Sequence, residues 1–565
     1  MAVLALLLTA IAFTAVFAES TVSSKWVGYG HDKIGSPTGR YWVFFDNKPS
    51  RFGSADQISE QGLSNLSERS LQRRLNRIKG NAYDALLDLP VSTDYVDSIR
   101  KTEAVIHRTS RLLNAVSINA SQKQLTEIGE FDFVTEIRPV LSYSRGKPVA
   151  DYEPPQIPFP KIGEWQLDYG ESFGQLLQIN VPYLHDEGLS GEDIIIGVFD
   201  TGFRLTHPAT SGIDVLATYD FINDDEDVDD DDNLQVDHGT SVVSVIGSAV
   251  DGWLYGPAYG STFVLAKTED ERGETQVEED NFVAALEWAD SIGCDVVTAS
   301  LGYSDWYTFE DLDGNTAVTS IACDAAVALG ITVVSSAGNE RVSPWGHITA
   351  PADGDSVIAV GAVTPSGSIT YFSSPGPTSD GQIKPDICTR GSGVTAATYY
   401  NQGYENTFSG TSAAAPLAAG AIALLLELHP EWSPIDVRDA LWATGQRRSG
   451  ISYPNNDYGY GIIDAAAASG LFGEPTSDRS VLAYPNPFES SIKLKFPVEA
   501  ASGHIYIFAL DGSIVFERAL RSGPPVYEFE WDGRNNSGNE VASGLYLVKV
   551  TGVGFEGIVK IAKIR

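Results

Sequence analysis

The chain of 565 residues has few cysteines and few basic residues for its length. Its three cysteines, Cys294, Cys323 and Cys388, can form at most one disulfide, and none has the spacing of a metal-binding motif. The 38 Lys and Arg residues are outnumbered by 75 Asp and Glu residues, which gives a formal net charge of −37. Because a protein that binds nucleic acid needs a basic surface, this composition argues against a nucleic-acid partner.

Long apolar runs are also scarce. Residues 1–18 are apolar and end in small residues, with Val16 and Ala18 at the −3 and −1 positions of a signal-peptide cleavage site. We therefore expect a signal peptide at 1–18; the alternative is an uncleaved membrane anchor, for which the run is short. The other apolar run, 413–428, contains Pro416 and Glu427 and is more typical of a buried helix.

Three short motifs contain the candidate catalytic residues of this sequence. Asp200 ends the run Ile-Ile-Ile-Gly-Val-Phe-Asp, His238 lies in Asp-His-Gly-Thr-Ser, and Ser412 lies in Ser-Gly-Thr-Ser-Ala-Ala-Ala-Pro. Taken alone, each has an ordinary structural explanation, as a turn residue, a packed histidine or a helix cap. A serine hydroxyl is a poor nucleophile at neutral pH unless an imidazole accepts its proton and a carboxylate orients that imidazole. Together the motifs predict an Asp-His-Ser catalytic triad.

The order of these motifs along the chain and their residue patterns resemble those of the subtilisin-like serine peptidases. The resemblance implies that Ser412 attacks the carbonyl of a peptide bond, that His238 accepts and returns the proton, and that Asp200 orients the imidazole. An acyl-enzyme would form and then be hydrolysed by water. No cofactor is expected for this chemistry.

The same resemblance implies further site residues. Asn339, at the end of Ser-Ser-Ala-Gly-Asn, matches the asparagine that stabilises the oxyanion together with the backbone N–H of the nucleophile. Ser300, Leu301 and Gly302 match the segment whose backbone binds an extended peptide substrate. Without the family match, these residues would read as a Gly-Asn turn and an ordinary strand end.

Between about 161 and 470, short apolar runs alternate with helical patterns. We expect buried strands at 194–200, 262–267, 295–301, 331–335 and 357–360, and helices at 241–249, 281–292, 317–329 and 412–428. This alternation predicts an α/β fold, a subtilisin-like parallel sheet with helices on both faces. In such sheets the active site forms at the carboxyl ends of the strands, which is where Asp200 and Ser300 lie.

The region before this sheet is expected to be an α+β propeptide. A basic amphipathic helix is predicted at 66–74, strand patterns at 107–120 and 133–140, and a helix at 121–129. Such a unit ahead of a subtilisin-like domain resembles the inhibitory propeptide of the family; an independent adhesive or regulatory domain is the alternative. Four prolines at 154–160 predict an extended, exposed segment that suits proteolytic processing.

The region after the sheet predicts a small all-β sandwich of about six strands, with turn residues at Asp511-Gly512 and 536–538. Tyr-Pro-Asn-Pro-Phe from Tyr484, Trp-Asp-Gly-Arg from Trp531 and Ala-Ser-Gly-Leu-Tyr from Ala542 resemble the type A C-terminal sorting domains of the type IX secretion system. Flagellar hook-cap immunoglobulin-like domains share much of this pattern. A generic binding module is the alternative.

An acidic run at 223–233 separates the Asp200 and His238 motifs. Ca²⁺ takes about six to eight oxygen ligands from such loops, but the EF-hand pattern is missing. A solvated acidic loop is one interpretation. The other is a structural calcium site, for which the candidate ligands are Asp224, Asp225, Asp227 and Asp229.

The sequence thus predicts a zymogen that is secreted or attached to the cell surface. Its expected parts are a signal peptide at 1–18, a propeptide at 19–150, a processing linker at 151–164, a subtilisin-like catalytic domain at 165–470, a linker at 471–480 and a sorting domain at 481–565. The expected partners are protein or peptide substrates, the propeptide as intramolecular inhibitor, and the secretion machinery. Two alternatives are a catalytically silent adhesin and a serine esterase.

Overall fold

The computed structural model describes most of the chain. The described residues are 38–48, 66–78, 84–140, 165–229, 237–270, 278–304, 307–398, 403–471, 481–496, 503–509, 512–520, 528–552 and 555–564. The predicted signal peptide, the processing linker 151–164 and nearly all of the linker 471–480 lie outside these residues.

A seven-stranded parallel sheet forms the centre of the 165–470 region, in the strand order β13-β12-β11-β10-β5-β9-β6. The strands are β5 (Ile195–Asp200), β6 (Asp214–Asp220), β9 (Thr262–Lys267), β10 (Val296–Ala299), β11 (Thr332–Ser336), β12 (Ile358–Val363) and β13 (Ile387–Arg390). The predicted parallel sheet is confirmed. The strands β6 and β13, which lie at its two edges, were not predicted.

Helices cover both faces of this sheet, as expected. They are α5 (Phe173–Gln178), α6 (Val181–Asp186), α7 (Asp237–Gly247), α8 (Glu278–Ile292), α9 (Val318–Ala328), α10 (Thr411–Leu428), α11 (Pro434–Thr444) and α12 (Ala465–Ala468). Ile196 and Val198 of β5 belong to the apolar cluster that contains α7 and α10, whereas Phe199 belongs to the cluster of α8 and α9. Successive strand residues point to opposite faces, so an almost continuous apolar run is needed to bury both.

The helix α10 crosses the centre of the fold. Its length and composition would suffice for a membrane span, but 83% of its apolar window is buried inside the protein. Its small residues allow close packing, and Gly420 lies against Pro257, which a Cβ at Gly420 would approach to 2.9 Å. The expectation of a buried helix in this segment is therefore confirmed.

Two short antiparallel pairs lie beside the large sheet. They are β7 (Ala249–Val250) with β8 (Leu254–Tyr255), and β14 (Val394–Thr398) with β15 (Gly403–Phe408). The second pair leads directly into α10. It therefore brings Phe408 close to the amino end of that helix.

The N-terminal region is a separate four-stranded antiparallel sheet in the order β2-β3-β1-β4. Its elements are β1 (Thr38–Phe45), α1 (Glu68–Arg77), α2 (Ala85–Asp88), α3 (Thr93–Lys101), β2 (Val105–Ser110), β3 (Ala115–Ser121), α4 (Gln122–Gly129) and β4 (Val134–Pro139). The predicted strand pattern at 107–120 divides into β2 and β3, joined at a turn where Asn114 has a φ of 50°. The expected α+β unit is confirmed.

This N-terminal sheet packs against α8. Trp42 and Leu112 are buried in one apolar cluster with Phe282 and Leu286 of α8. The N-terminal region therefore contributes to the apolar core on that face of the large sheet.

The C-terminal region has two antiparallel sheets, β16-β17-β20 and β19-β18-β21-β22. The strands are β16 (Leu482–Tyr484), β17 (Ile492–Lys495), β18 (His504–Ala509), β19 (Ile514–Ala519), β20 (Glu528–Trp531), β21 (Gly544–Gly552) and β22 (Phe555–Lys563). The all-β prediction is confirmed, with one additional short strand, β16. Trp531 lies between the sheets, where its ring contacts Phe488, Phe516 and Tyr546.

Replacing Trp531 tests this core. The side chain is 1% exposed and its indole N–H donates to the Arg534 carbonyl at 2.7 Å. We expect Trp531→Ala to lower the free energy of unfolding of the C-terminal region by about 3–5 kcal/mol, because it leaves a large cavity. Scanning calorimetry should show this loss in one transition. Ile514→Ala, at a position that is 51% exposed, serves as the control and should change it little.

Candidate active site

Asp200 is the last residue of β5 and lies fully buried at the carboxyl edge of the sheet. Its Oδ1 accepts a hydrogen bond from the backbone N–H of Thr201 at 2.8 Å. The same oxygen lies 2.7 Å from Nδ1 of His238. The carboxylate is therefore fixed both by its own turn and by the imidazole.

His238 is the second residue of α7, and its side chain is 8% exposed. Because Nδ1 faces Asp200, Nε2 is the ring nitrogen that remains for a proton transfer. The ring of Phe408 meets the imidazole edge-on, with the ring centroids 5.8 Å apart. Sequence reasoning missed Phe408, since a phenylalanine four residues before Ser412 carries no signal of its own.

Ser412 lies in the first turn of α10, so the N–H groups and the dipole of the helix are directed toward any negative charge that develops there. Its hydroxyl donates to the Ser300 carbonyl at 3.1 Å, and the Ser300 hydroxyl donates to the Ser412 carbonyl at 3.0 Å. Within the described residues, no hydrogen bond joins Ser412 Oγ to His238. A rotation about the Cα–Cβ bond of Ser412 is therefore needed before the imidazole can accept its proton.

Asn339 follows β11, and its side-chain carbonyl is held by Thr411. The oxygen accepts from the backbone N–H of Thr411 at 2.9 Å and from its hydroxyl at 3.1 Å, so the amide N–H₂ remains as a donor. A Cβ placed on Gly410 would lie 3.4 Å from Asn339 Nδ2 and 3.6 Å from the backbone N of Ser412. Both donors therefore border one small space, which Gly410 keeps open with a φ of 142°.

Thr411 orients this amide and was missed by the sequence analysis. Its hydroxyl also accepts from the backbone N–H of Gly338 at 3.1 Å, which ties the Asn339 turn to the start of α10. Its position beside the nucleophile in the Ser-Gly-Thr-Ser motif was the available signal.

The predicted substrate-binding residues, Ser300, Leu301 and Gly302, follow the carboxyl end of β10. The Leu301 carbonyl accepts from the Ser336 hydroxyl at 3.1 Å, and the Leu301 side chain is buried. A Cβ on Gly302 would approach Thr349 Oγ1 to 2.3 Å, so only glycine fits there without a shift. Through Ser300, this segment touches Ser412 directly.

The three cysteines are buried and free. Burial raises the pKa of the thiols of Cys294, Cys323 and Cys388 above the ordinary value. A nucleophilic cysteine needs an accessible thiolate, and none of these positions provides one.

The candidate calcium ligands do not converge. Oδ1 of Asp224 accepts from the Tyr219 hydroxyl at 2.9 Å, and Oδ1 of Asp225 accepts from the backbone N–H of Asp227 at 2.9 Å. Asp229 pairs with Arg204 at 3.3 Å. Within the described residues, no group of three or more His, Cys, Asp or Glu side chains could hold a metal ion. The rest of the acidic run, from residue 230, lies outside them, and calcium remains a prediction.

Three family models match the chain, one for each region. The subtilase family model matches residues 191–461, which contain all of the site described above. A model for the peptidase S8 propeptide domain of Bacteroidota matches residues 40–151. A model for the FlgD Ig-like domain matches residues 488–554.

Curated relatives agree with the first of these matches. The chain is 30% identical over 293 residues to subtilisin E of Bacillus subtilis (strain 168), which is 52% of this chain and 70% of that protein. It is also 30% identical over 293 residues to the subtilisin of Bacillus pumilus, 96% of which is covered. It is 32% identical over 286 residues to subtilisin DY of Bacillus licheniformis, at 50% of this chain and 93% of that protein.

Among solved structures, the fold is similar to that of fervidolysin from Fervidobacterium pennivorans, described as a keratinolytic enzyme related to subtilisin. The TM-score is 0.55 at 20% identity, and the match covers 94% of this chain and 73% of that one. At this identity the likeness concerns the fold alone. The matches to the family model and to the sequence relatives show that the chain belongs to the subtilase family of serine peptidases.

Proposed function

We propose that the protein is a secreted serine endopeptidase that cleaves peptide bonds through Asp200, His238 and Ser412. The observation that carries this proposal is the buried 2.7 Å contact between Asp200 and His238, at the sheet edge where α10 also presents Ser412. A buried carboxylate at that distance holds the imidazole in the tautomer that accepts a proton at Nε2.

In the acylation step, Ser412 Oγ forms a bond to the carbonyl carbon of the substrate and its proton passes to His238 Nε2. The amide N–H₂ of Asn339 and the backbone N–H of Ser412 stabilise the resulting oxyanion. The C–N bond then breaks, and His238 returns the proton to the leaving amine. Water repeats the sequence on the acyl-enzyme and releases the second product.

Substrate binding also explains how the serine is freed. The Ser300 carbonyl, which now accepts from the Ser412 hydroxyl at 3.1 Å, is a natural acceptor for a backbone N–H of an extended substrate. A substrate bound along Ser300–Gly302 would compete for this oxygen. The hydroxyl would then turn toward His238.

The N-terminal region is proposed to inhibit the enzyme until the linker at 151–164 is cut. Asp280, in the first turn of α8, illustrates how closely it docks. The Ser117 hydroxyl donates to Asp280, and Nε of Arg40 lies 3.3 Å from its carboxylate. Burial raises the pKa of Asp280 to about 7 despite these partners.

The C-terminal sandwich is proposed to act in export or surface attachment, as a type A sorting domain of the type IX secretion system. The motifs at Tyr484, Trp531 and Ala542 support this proposal. The family model that matches residues 488–554 is a different one, that of the FlgD Ig-like domain.

The nucleophile is tested by comparing the intact masses of the wild type and Ser412→Ala, both expressed without residues 1–18. We expect only the wild type to lose about 130–150 residues from its amino terminus, because the cut requires the hydroxyl of Ser412.

Other results would change the assignment. If both chains remain full length, the adhesin alternative gains ground; if both are trimmed alike, another protease makes the cut. Comparing the processed wild type on peptide amides and on simple esters then separates a peptidase from an esterase.

The oxyanion site is tested at Asn339. Removing the amide donor in Asn339→Leu should lower kcat about 10²–10³-fold with little change in KM, as found for the oxyanion asparagine of this family, because the donor acts mainly in the transition state. Thr411→Val should lower kcat less, and Thr411→Ser, which keeps the hydroxyl, should stay near the wild type. Equal activity of Asn339→Leu and the wild type would remove Asn339 from the mechanism.

Asp280 predicts the pH dependence of propeptide binding. Because its pKa is about 7 in the complex, above that of an exposed carboxyl group, the complex holds a proton that the separated parts release. This stabilisation is present at acid pH and is lost as the pH rises to about 7. We expect the dissociation constant of the cut propeptide to rise about 10- to 30-fold between pH 5.5 and 7.5.

The matched variants are Asp280→Asn and Asp97→Asn, since Asp97 is exposed on the propeptide and pairs with Arg100. Asp280→Asn should make the pH profile less steep, because an amide does not titrate, whereas Glu287, which contacts Ser110 and whose pKa is also raised by burial, keeps its own contribution. Asp97→Asn should leave the profile unchanged. A profile of Asp280→Asn that follows the wild type would contradict this assignment.

A further inference from the structure

Charge is distributed very unevenly between the regions of this chain. Residues 19–150 contain 18 basic and 15 acidic residues, whereas residues 151–480 contain 11 basic and 51 acidic residues. The N-terminal region is therefore weakly positive and the enzyme strongly negative. Opposite net charges favour contacts between the two regions through charged side chains.

The helix α1 makes such a contact, because the face of this helix that packs against the enzyme is its charged face. Arg73, Arg74 and Arg77 are buried, while Leu75 is 62% exposed. An ordinary surface helix buries its apolar stripe and exposes its charges. The basic helix predicted from the sequence is thus present with the reverse orientation: its arginines point into the protein.

Asp290, near the end of α8, binds three arginines of the N-terminal region. Nη2 of Arg74 lies 2.6 Å from its Oδ2, and the guanidinium groups of Arg73 and Arg111 contact the same carboxylate. Burial alone would raise the pKa of Asp290, but Arg73, Arg111 and Arg74 overcome it and keep the pKa below the ordinary value. The carboxylate is therefore ionised and depends on the arginines for its partners.

Asp295, just before β10, binds two arginines of α1. Arg69 Nη2 lies 2.7 Å from its Oδ2, and Arg77 Nη2 lies 2.9 Å from its Oδ1. Arg77 also donates through Nε to the Pro430 carbonyl at 3.3 Å, and Arg69 donates to the Asp193 carbonyl. The first and last turns of α1 thus hold one carboxylate and two backbone carbonyls of the enzyme.

These contacts lie far from the catalytic residues. Asp295 precedes the amino end of β10 and Ser300 follows its carboxyl end. Five residues of extended strand separate the two by about 16 Å, so α1 binds the edge of the sheet opposite to the active site. A contact there cannot block the substrate cleft directly.

The contact of α1 also differs in kind from that of the N-terminal sheet. The sheet packs on α8 with apolar side chains such as Trp42 and Leu112, and it adds ion pairs from Arg40 and Arg111 to the same helix. Salt screens the long-range attraction between the weakly positive propeptide and the acidic enzyme, but it screens buried ion pairs much less. Substitutions in α1 therefore separate its contact from that of the N-terminal sheet.

We propose that Asp290 and Asp295 form a second docking site for the propeptide, which binds the arginine face of α1 and retains the propeptide after the linker has been cut. The partner is an arginine-bearing helix of this same chain. The inference rests on the proposed zymogen function. It adds a contact at the back edge of the sheet, which must also be broken before the cut propeptide leaves the enzyme.

The experiment uses the full chain carrying Ser412→Ala and a recognition sequence for an unrelated site-specific protease within 151–164. After the cut, gel filtration and the dissociation rate of the N-terminal fragment are measured in 0.1 M and 1 M NaCl. We expect retention of the fragment at low salt and only a modest effect of high salt on the dissociation rate, because the ion pairs of Asp290 and Asp295 are buried and buried pairs are screened much less than exposed ones.

Arg77→Gln provides the test of the site, since it leaves Asp295 buried with one partner fewer. Removing one member of a buried ion pair should speed dissociation at least about 100-fold. Arg100→Gln is the matched control, because Arg100 is 62% exposed and pairs only with Asp97 of its own helix among the described residues. Arg69→Gln, at a side chain that is 39% exposed, tests the same site with little risk to folding.

Immediate loss of the fragment at low salt would overturn the proposal. So would equal retention of the fragment by Arg77→Gln, Arg69→Gln and Arg100→Gln. Because retention is measured on a chain without Ser412, it is independent of catalysis. Hydrolysis of peptides by the processed wild type decides the protease proposal separately.

Discussion

The hydrogen bond between Asp200 and His238 is the contact on which the arrangement of the site depends. It joins the end of the inner strand β5 to the first turn of α7, and it is buried at a distance of 2.7 Å. Oδ1 of Asp200 and Nδ1 of His238 give each other a hydrogen-bond partner in a buried position, where an unpaired polar atom is costly. The large sheet and its two layers of helices hold this pair beside α10, whose first turn carries Ser412.

The propeptide and the enzyme meet through two unlike surfaces. The N-terminal sheet contacts α8 through apolar side chains together with Arg40 and Arg111, whereas α1 contacts the back edge of the large sheet through arginines. Ion pairs in a buried site give orientation more reliably than net stability, because desolvation offsets most of their attraction. The N-terminal sheet therefore supplies the apolar contact area, while the arginines of α1 fix the orientation of the propeptide.

Much of the site could be read from the sequence, because its residues occur in contiguous motifs. Four candidate site residues were each identified from a few neighbouring residues: Asp200, His238, Asn339 and Ser412. The structure brings all four to one edge of the sheet. The catalytic roles of these residues remain proposals. Thr411 and Phe408 were missed, since a hydroxyl that orients an amide and a ring that contacts an imidazole act through partners distant in sequence.

The sequence by itself determined the class of each region, because the period of apolar residues reports whether a segment is a buried strand or a helix. It did not predict the edge strands β6 and β13, because the pairing of these strands is set by the tertiary structure of the sheet. Nor could it decide which face of α1 is buried, because periodicity shows only that a helix has two faces. The tertiary structure decided this, since the surface opposite α1 consists of carboxylates and carbonyls rather than apolar side chains.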